Sequence, residues 1–466
     1  MIPISIEQAG ADAGGHFQAT PAADTVTAVV TDTRQIRGGE LFVAIAGARV
    51  DGATLAGKAI AAGASAVLTA TPEVALASGA PADRLIVADD VLSALGSLAR
   101  HSLRRARDLN PRLQVVAITG SVGKTTTKDL LASLLAIRGP IVAPAGSFNN
   151  EIGLPLTVLR ADADTDTLVL EMGADHLGNI EYLTSIAPPD IGVVLAVARA
   201  HLGHFGGIEN VAKAKAEMVT GVRAGGRVIL NAGDERVRAM ADLTDNEVRF
   251  FGDADLPGVH AADITVNERG QAGFALVTAT GRARVRLALI GEHHIWNALA
   301  AAAVADAYGI GVEHIAQILS ATAAASPHRM AVSERDGIVI IDDSYNANPD
   351  SMRAGLDALE KLGRGRRTVA VLGAMLELGE ESPTEHEAVG RYAAARGVDV
   401  VIGVGEETMA LVEAARSAGV RVEHTTAESA RDVVSAILAQ GDVVLLKGSN
   451  GSGVWRVADA LVGEDS

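Results

Sequence analysis

From residue 114 onward, short apolar runs alternate with stretches whose apolar residues recur at helical spacing. Strands are predicted at 114–119, 167–172, 191–197 and 227–231, and helices at 124–137, 179–187 and 208–220. Strand and helix patterns in strict alternation predict a mostly parallel sheet with helices on both faces. Residues 259–289 interrupt the pattern with short β-type runs, and an Ala-rich helix over 295–308 closes the unit. Upstream, apolar runs at 27–30, 41–45 and 65–68, with a helical segment over 55–62, predict a small α/β unit. A helix over 91–107 then leads through Asn110-Pro111 to the first central strand. Beyond a linker at 323–327, apolar runs at 338–342, 368–373, 399–404 and 442–446 alternate with amphipathic helices, the pattern of a third α/β unit. The expected fold is α/β in three domains, over 1–89, 90–326 and 327–466.

Composition refines this picture. Hydrophobic residues make up 48% of the 466 but aromatics only 3%, so the cores are built from Ala, Val, Leu and Ile. The net charge of −17 opposes attraction to nucleic acid or an anionic membrane, and any anionic substrate must meet positive charge locally. With no cysteine, disulfides, thiolate catalysis and Cys-ligated zinc are excluded. The N-terminal MIPISIEQAGADAGG lacks a basic region followed by an apolar one, and no stretch of 18 uncharged apolar residues follows. The expectation is a soluble cytoplasmic protein with neither membrane insertion nor a nucleic-acid partner.

The sharpest chemical signal is Gly120-Ser121-Val122-Gly123-Lys124-Thr125-Thr126, between a predicted strand and a predicted helix. Triphosphate oxygens need many short donors, which backbone N–H groups at a helix N-terminus supply. Gly120 and Gly123 permit close approach, Lys124 adds a point charge for the β/γ-phosphates, and the Thr125 hydroxyl suits Mg²⁺. ATP with magnesium is the expected ligand. The loop is shorter than the general G-x-x-x-x-G-K-[ST] pattern, since Ile118 stands where its first glycine would be.

Two strand-end groups lie on the same sheet edge: Glu171, after Thr167-Leu168-Val169-Leu170, and His201, in His-Leu-Gly-His-Phe-Gly. Both are candidate metal ligands. Asn149 and Asn150, in N-N-E-I-G-L-P, read on turn chemistry alone as a turn. Lys213, Lys215 and Glu217 read on spacing alone as a solvated helix face, and Asn297 as a helix-surface residue.

Taken in order, T-G-S-V-G-K-T-T, N-N-E-I-G-L-P, E-M-G-A, H-L-G-H-F-G, A-K-A-K-A-E, D-D-S-Y-N-A-N-P and K-G-S resemble the Mur ligases of peptidoglycan synthesis over nearly the whole chain. The resemblance implies an N-terminal domain for a UDP-sugar, a central ATPase domain and a C-terminal Rossmann-like domain. It implies that Thr33 and Arg34 lie in the uridine-nucleotide segment, and that Lys215 is carbamylated and shares a second Mg²⁺ with His201. Glu171 and Thr125 would serve the magnesium sites, Asn297 would face adenine, and Arg329 and Asp343 would close over the nucleotide. His328 stands where the family often has Gly, and Ala53 where a His is expected. The phrase Asp343-Ser344-Tyr345-Asn346-Ala347-Asn348-Pro349 is typical of the D-alanyl-D-alanine-adding member. With Leu372 to Gly379, His386 and Lys447-Gly448-Ser449, it completes the match. Asn149 and Asn150 are expected to touch substrate, and Asn346 and Lys447 to contact the dipeptide.

The implied reaction is ATP-dependent amide formation between UDP-N-acetylmuramoyl-tripeptide and D-alanyl-D-alanine through an acyl phosphate, by a monomer. Other Mur ligases and folylpolyglutamate-synthase-like enzymes differ in the incoming amine, and the uridine-type domain argues against the latter. A P-loop switch or motor is the alternative from another class, and it leaves Glu171, His201 and the Lys215 helix without a role.

Overall fold

The computed structural model describes the chain except residues 48–49, 145, 199–204, 269, 324–325, 327, 377 and 464–466. Among the described residues, sheets of four, nine and six strands follow one another along the chain, with a two-stranded antiparallel pair (Ile4–Ser5 with Thr25–Val26) beside the first.

The four-stranded sheet runs Ala28–Val30, Glu40–Val43, Ala66–Thr69 and Leu85–Val87, all parallel and in sequence order. Its last strand has no counterpart among the predicted runs. Helix Val91–Leu109 then begins where Asp90 accepts hydrogen bonds from the Leu92 and Ser93 N–H groups. Its buried Leu95, Leu98 and Leu103 belong to one core that extends from Ile4 to Met240. The first unit is thereby packed onto the second through a shared apolar surface.

In the central sheet, strand Gln114–Thr119 lies between Thr167–Glu171 and Ile191–Val194, with Ile141–Val142 at one edge. On the other side come Arg227–Asn231, Glu247–Phe251, Gly258–Val266, Gln271–Thr278 and Gly281–Ile290. All neighbours pair in parallel up to Gly258–Val266, and the last three strands form an antiparallel meander. The β-type runs expected at 259–289 thus extend the same sheet instead of interrupting it. Strand Ile191–Val194 stops three residues short of the predicted 197. The reason is local: after the Leu195 N–H bonds the Thr119 carbonyl, the Ala196 carbonyl accepts from Ser121 N–H, so the chain turns to brace the glycine loop.

The six-stranded sheet orders Ala331–Arg335, Ile338–Asp343, Val443–Lys447, Thr368–Gly373, Val400–Val404 and Arg421–Thr425. Only the first pairing is antiparallel. The four inner strands correspond to the four apolar runs of the sequence. The two edge strands, Ala-Val-Ser-Glu-Arg and Arg-Val-Glu-His-Thr, lack an apolar run because only their inner side is covered. Thr119, Glu171, Asp343 and Lys447 each end a strand, and parallel sheets bind ligands at that carboxyl edge.

Candidate active site

Gly123 ends the glycine loop and starts helix Lys124–Leu135 with a φ of 83°, in the left-handed region where only glycine is unstrained. A β-carbon there would also stand 2.3 Å from Asn297 Oδ1. At Gly120 a β-carbon would fall 2.8 Å from Leu195 Cβ. The Lys124 ammonium donates to the Gly120 carbonyl at 2.7 Å, so the loop closes on its own lysine. Burial pushes that lysine down from its ordinary value, the nearby Glu171 carboxylate opposes the shift, and Arg329 adds to it.

Glu171 is fully buried. Its Oε2 accepts from the Thr125 hydroxyl at 3.2 Å, while its Oε1, equally buried, has no hydrogen-bond partner. Burial raises this carboxyl, against the pull of Lys124, Lys128 and Arg329. An orphaned carboxylate oxygen beside a threonine hydroxyl and a phosphate loop fits Mg²⁺, which takes one or two carboxylates and completes its shell with phosphate and water. Among the described residues no group of three or more acidic or histidine side chains is preassembled for a metal. His201 lies outside the described residues.

Lys215 overturns the reading that spacing alone suggested. On helix Ile208–Gly221 it is buried, 2% exposed, while Lys213 faces solvent. Burial, with a smaller push from Lys124, brings the Lys215 amine down to about 7, and Glu217 and Asp175 only partly counter this. It lines a cavity of about 240 Å³ with Lys124, Asn149, Asn150, Glu151 and Asp175. Glu217 is not a solvated charge either, since its carboxylate accepts from the Gly178 and Glu181 N–H groups and caps the neighbouring helix Asn179–Ile186. Asn150 keeps its turn role, accepting from Ile152 and Gly153 N–H, but it also faces this cavity.

A second cavity, of about 500 Å³, lies between the central and C-terminal sheets. The loop from Ser121 to Thr126 forms one side, His294 and Asn297 another, and Asp343, Asn346 and Lys447 a third. Asn297 is buried, not a helix-surface residue, and donates through Nδ2 to His294 Nδ1 at 3.1 Å. Burial holds His294 neutral, well below its ordinary value, and its Nε2 is buried without a partner. From the C-terminal unit, Arg329 donates to the Thr125 and Ser147 hydroxyls, both at 3.2 Å, and lies 4.2 Å over the Tyr345 ring. Lys447, 1% exposed, is paired with Asp343 and donates to the Asn346 carbonyl at 3.0 Å, so its ammonium is already engaged inside the protein.

Several expected positions have structural explanations. His328 has a φ of 59°, the conformation for which glycine is suited, and is held there by Asp342 at 2.8 Å. His386 accepts from Met375 N–H through Nε2 at 3.0 Å and contacts the Ser382 carbonyl through Nδ1 at 2.7 Å, fixing the turn after strand Thr368–Gly373. Ala53 is wholly buried, its N–H bonded to Asp51. Thr33 and Arg34 line neither cavity, and Arg34, highly exposed, pairs with Asp32. Sequence reasoning missed Ser147, Lys128, His294 and Tyr345. Of these only Tyr345 and His294 belong to segments with a signal of their own, the D-S-Y-N-A-N-P phrase and the start of the Ala-rich helix.

Three family models match the chain in order: "Mur ligase family, catalytic domain" over 25–102, "Mur ligase middle domain" over 118–305 and "Mur ligase, glutamate ligase domain" over 328–450. The chain belongs to the Mur ligase family. A UDP-N-acetylmuramoyl-tripeptide–D-alanyl-D-alanine ligase of Mycobacterium bovis is 42% identical to it, across 100% of this chain and 99% of that protein. The Escherichia coli enzyme of the same name is 36% identical over 99% of each. Among solved structures, MurF from Acinetobacter baumannii superposes with a TM-score of 0.85 at 28% identity, over 99% of both chains. MurF ligase of Thermotoga maritima in complex with ADP gives a TM-score of 0.77 at 28% identity, covering 94% of this chain and 98% of that one.

Proposed function

We infer that the protein joins D-alanyl-D-alanine to UDP-N-acetylmuramoyl-tripeptide with consumption of ATP, giving the pentapeptide precursor of peptidoglycan, ADP and phosphate. The observation that carries this reading is one cavity lined both by the phosphate loop at Lys124 and by Asn346 of the D-S-Y-N-A-N-P segment. Residues 1–89 would hold the UDP-sugar through Thr33 and Arg34, 90–326 the ATP, and 327–466 the dipeptide. Both cavities are lined by residues of this chain, and it is proposed to act as a monomer. The cytoplasm supplies ATP and the UDP-linked substrate, and no helix among the described residues is long and apolar enough to cross a membrane.

A carboxylate resists amine attack because oxide is a poor leaving group. The tripeptide carboxylate oxygen therefore takes the γ-phosphoryl group of ATP, releasing ADP. The dipeptide amine then attacks the acyl carbon, phosphate departs with the C–O electron pair, and the amine loses a proton. Lys124 and the loop N–H groups stabilise the charge that builds on the transferring phosphoryl. Asn297 and the neutral His294, with its unpartnered Nε2, offer polar groups to the base. Arg329 and Asp343 close the nucleotide site from the C-terminal side, and Asn346 meets the dipeptide. Lys447 acts there through Asp343 and Asn346.

Glu171 and Thr125 would hold Mg²⁺, which supplies charge neutralisation on the phosphates when bound. The small cavity receives the tripeptide carboxylate near Asn149 and Asn150. An amine brought down to about 7 is substantially neutral at physiological pH, which supports carbamylation of Lys215. Its nitrogen would add to CO2 and release one proton, and the carbamate with His201 would serve a second Mg²⁺.

The test supplies ATP, Mg²⁺, UDP-N-acetylmuramoyl-tripeptide and D-alanyl-D-alanine, and looks for the amide product with ADP and phosphate. AMP and pyrophosphate would refute the acyl-phosphate route. Phosphate release indifferent to both peptide substrates would favour a nucleotide switch instead. Lys124→Ala should abolish turnover.

A further inference from the structure

Helix Lys124–Leu135 grips two other segments twice. Thr125 Oγ1 lies 2.7 Å from Ser147 Oγ and accepts from Arg329. One turn along the same helix face, Lys128 Nζ donates to the Pro144 carbonyl at 2.7 Å and approaches Ser326 Oγ at 3.5 Å. Asp129 pairs with Lys128 at 2.9 Å and accepts from the Ser326 N–H at 3.1 Å. Pro144 precedes Ser147 by three residues, and Ser326 precedes Arg329 by three. The loop after strand Ile141–Val142 and the crossover into the C-terminal unit are thus each held at a point three residues short of the group they deliver to Thr125.

Lys128 is 1% exposed and lines neither cavity of the proposed active site. A buried ion pair is a poor device for stability alone, because well-packed apolar residues of the same volume do as well. Its contacts are directional, however, and they fix where two chain segments run.

We propose that Lys128 and Asp129 are positioning residues for the phosphoryl-transfer step: by anchoring Pro144 and Ser326 they set Ser147 and Arg329 against Thr125. The inference rests on the reading that Arg329 serves the bound nucleotide. Small displacements at a reacting centre are costly, so loss of the anchor falls on kcat more than on nucleotide affinity.

The test compares the full-length wild type with Lys128→Met, Arg329→Ala and the double variant, recording kcat, KM for ATP, ADP affinity by titration and melting temperature. Lys128→Met is expected to lower kcat about tenfold with ADP affinity within about twofold. In the double variant the losses should combine to clearly less than their product, as for residues acting through a shared interaction, with only the part exerted through Ser147 remaining. Losses that multiply in the double variant, or a lower melting temperature with kcat intact, would overturn the positioning role. If Lys128→Met does not fold, Asp129→Asn takes its place in the same cycle: a combined loss smaller than the product supports the anchor, and multiplying losses overturn it. Full activity of Arg329→Ala would overturn the nucleotide-site reading itself and this proposal with it.

Discussion

Asn297 Oδ1 occupies the space into which a side chain on Gly123 would project, 2.3 Å from where its β-carbon would be. The loop and the helix that walls the same cavity therefore touch at a glycine, and no other residue satisfies both this contact and a φ of 83°. Gly123→Ala is expected to weaken nucleotide binding at least about tenfold, since the left-handed conformation alone costs about 1–2 kcal/mol. Calorimetric titration with ADP and Mg²⁺ checks this, with circular dichroism to show that the fold persists.

Glu171→Gln separates stability from chemistry. Burial raises the folded carboxyl above its unfolded value, so the folded state holds a proton more tightly. That contribution favours folding at low pH and is lost as pH rises through the folded value. Without metal at about pH 7.5, the glutamine variant should therefore melt higher than the wild type, while turnover falls about 100-fold or more. Mg²⁺ with ADP should raise the wild type's melting temperature and leave the variant's nearly unchanged. An equal rise in both would remove Glu171 from the metal site.

Lys215 has the opposite sign. With its amine at about 7 when folded and near 10.5 when unfolded, the unfolded state binds more protons between those values, so stability rises with pH across that window. In CO2-depleted buffer the wild type should gain melting temperature from about pH 7 to 9 relative to Lys215→Met. If the buried amine also captures CO2, adding bicarbonate should restore activity more readily at about pH 8 than at about pH 6. Identical behaviour at both pH values would argue against a neutral amine as the acceptor.

At His328 the backbone and the side chain can be tested apart. Both His328→Gly and His328→Ala lose the bond to Asp342, but only alanine keeps the strain of a φ of 59°. Denaturant unfolding should find the alanine variant less stable than the glycine variant by about 1 kcal/mol. Equal stabilities would mean that the chain relaxes out of this conformation.

Much of the architecture was legible because buried parallel strands are apolar throughout. Strands Gln114–Thr119, Arg227–Asn231 and Thr368–Gly373 coincide with their predicted runs. Strands at sheet edges escaped, as Arg421–Thr425 shows, since one-sided burial leaves no apolar run in five residues. The strand, glycine loop and helix around Gly120 to Thr126, and the strand-end position of Glu171, were readable from local order alone. The burial of Lys215 was not, because its helix places only one of two neighbouring lysines inside, and helix phase relative to the core is a tertiary fact. Asn297 is a polar residue in an otherwise apolar Ala-rich stretch, a signal that pointed inward more strongly than spacing suggested. Ser147 and Lys128 gain their meaning from segments far along the chain, Arg329 and Ser326, that no local pattern connects to them.

The helix His294–Ala307 is buried along nearly its whole length and packs on helix Lys124–Leu135, with alanine at 298, 300–303, 305 and 307. Methyl groups let helix axes approach closely, and the separation follows the size of the side chains between them. The width of the cavity beside Asn297 is accordingly gauged by residues that do not line it. A larger residue at Ala301, one turn on from Asn297 along the same face, would act as a shim, tilting Asn297 away from Gly123. Compounds designed to fill that cavity tightly would therefore be vulnerable to resistance arising in the protein interior, at positions that inspection of the ligand's own contacts would never flag.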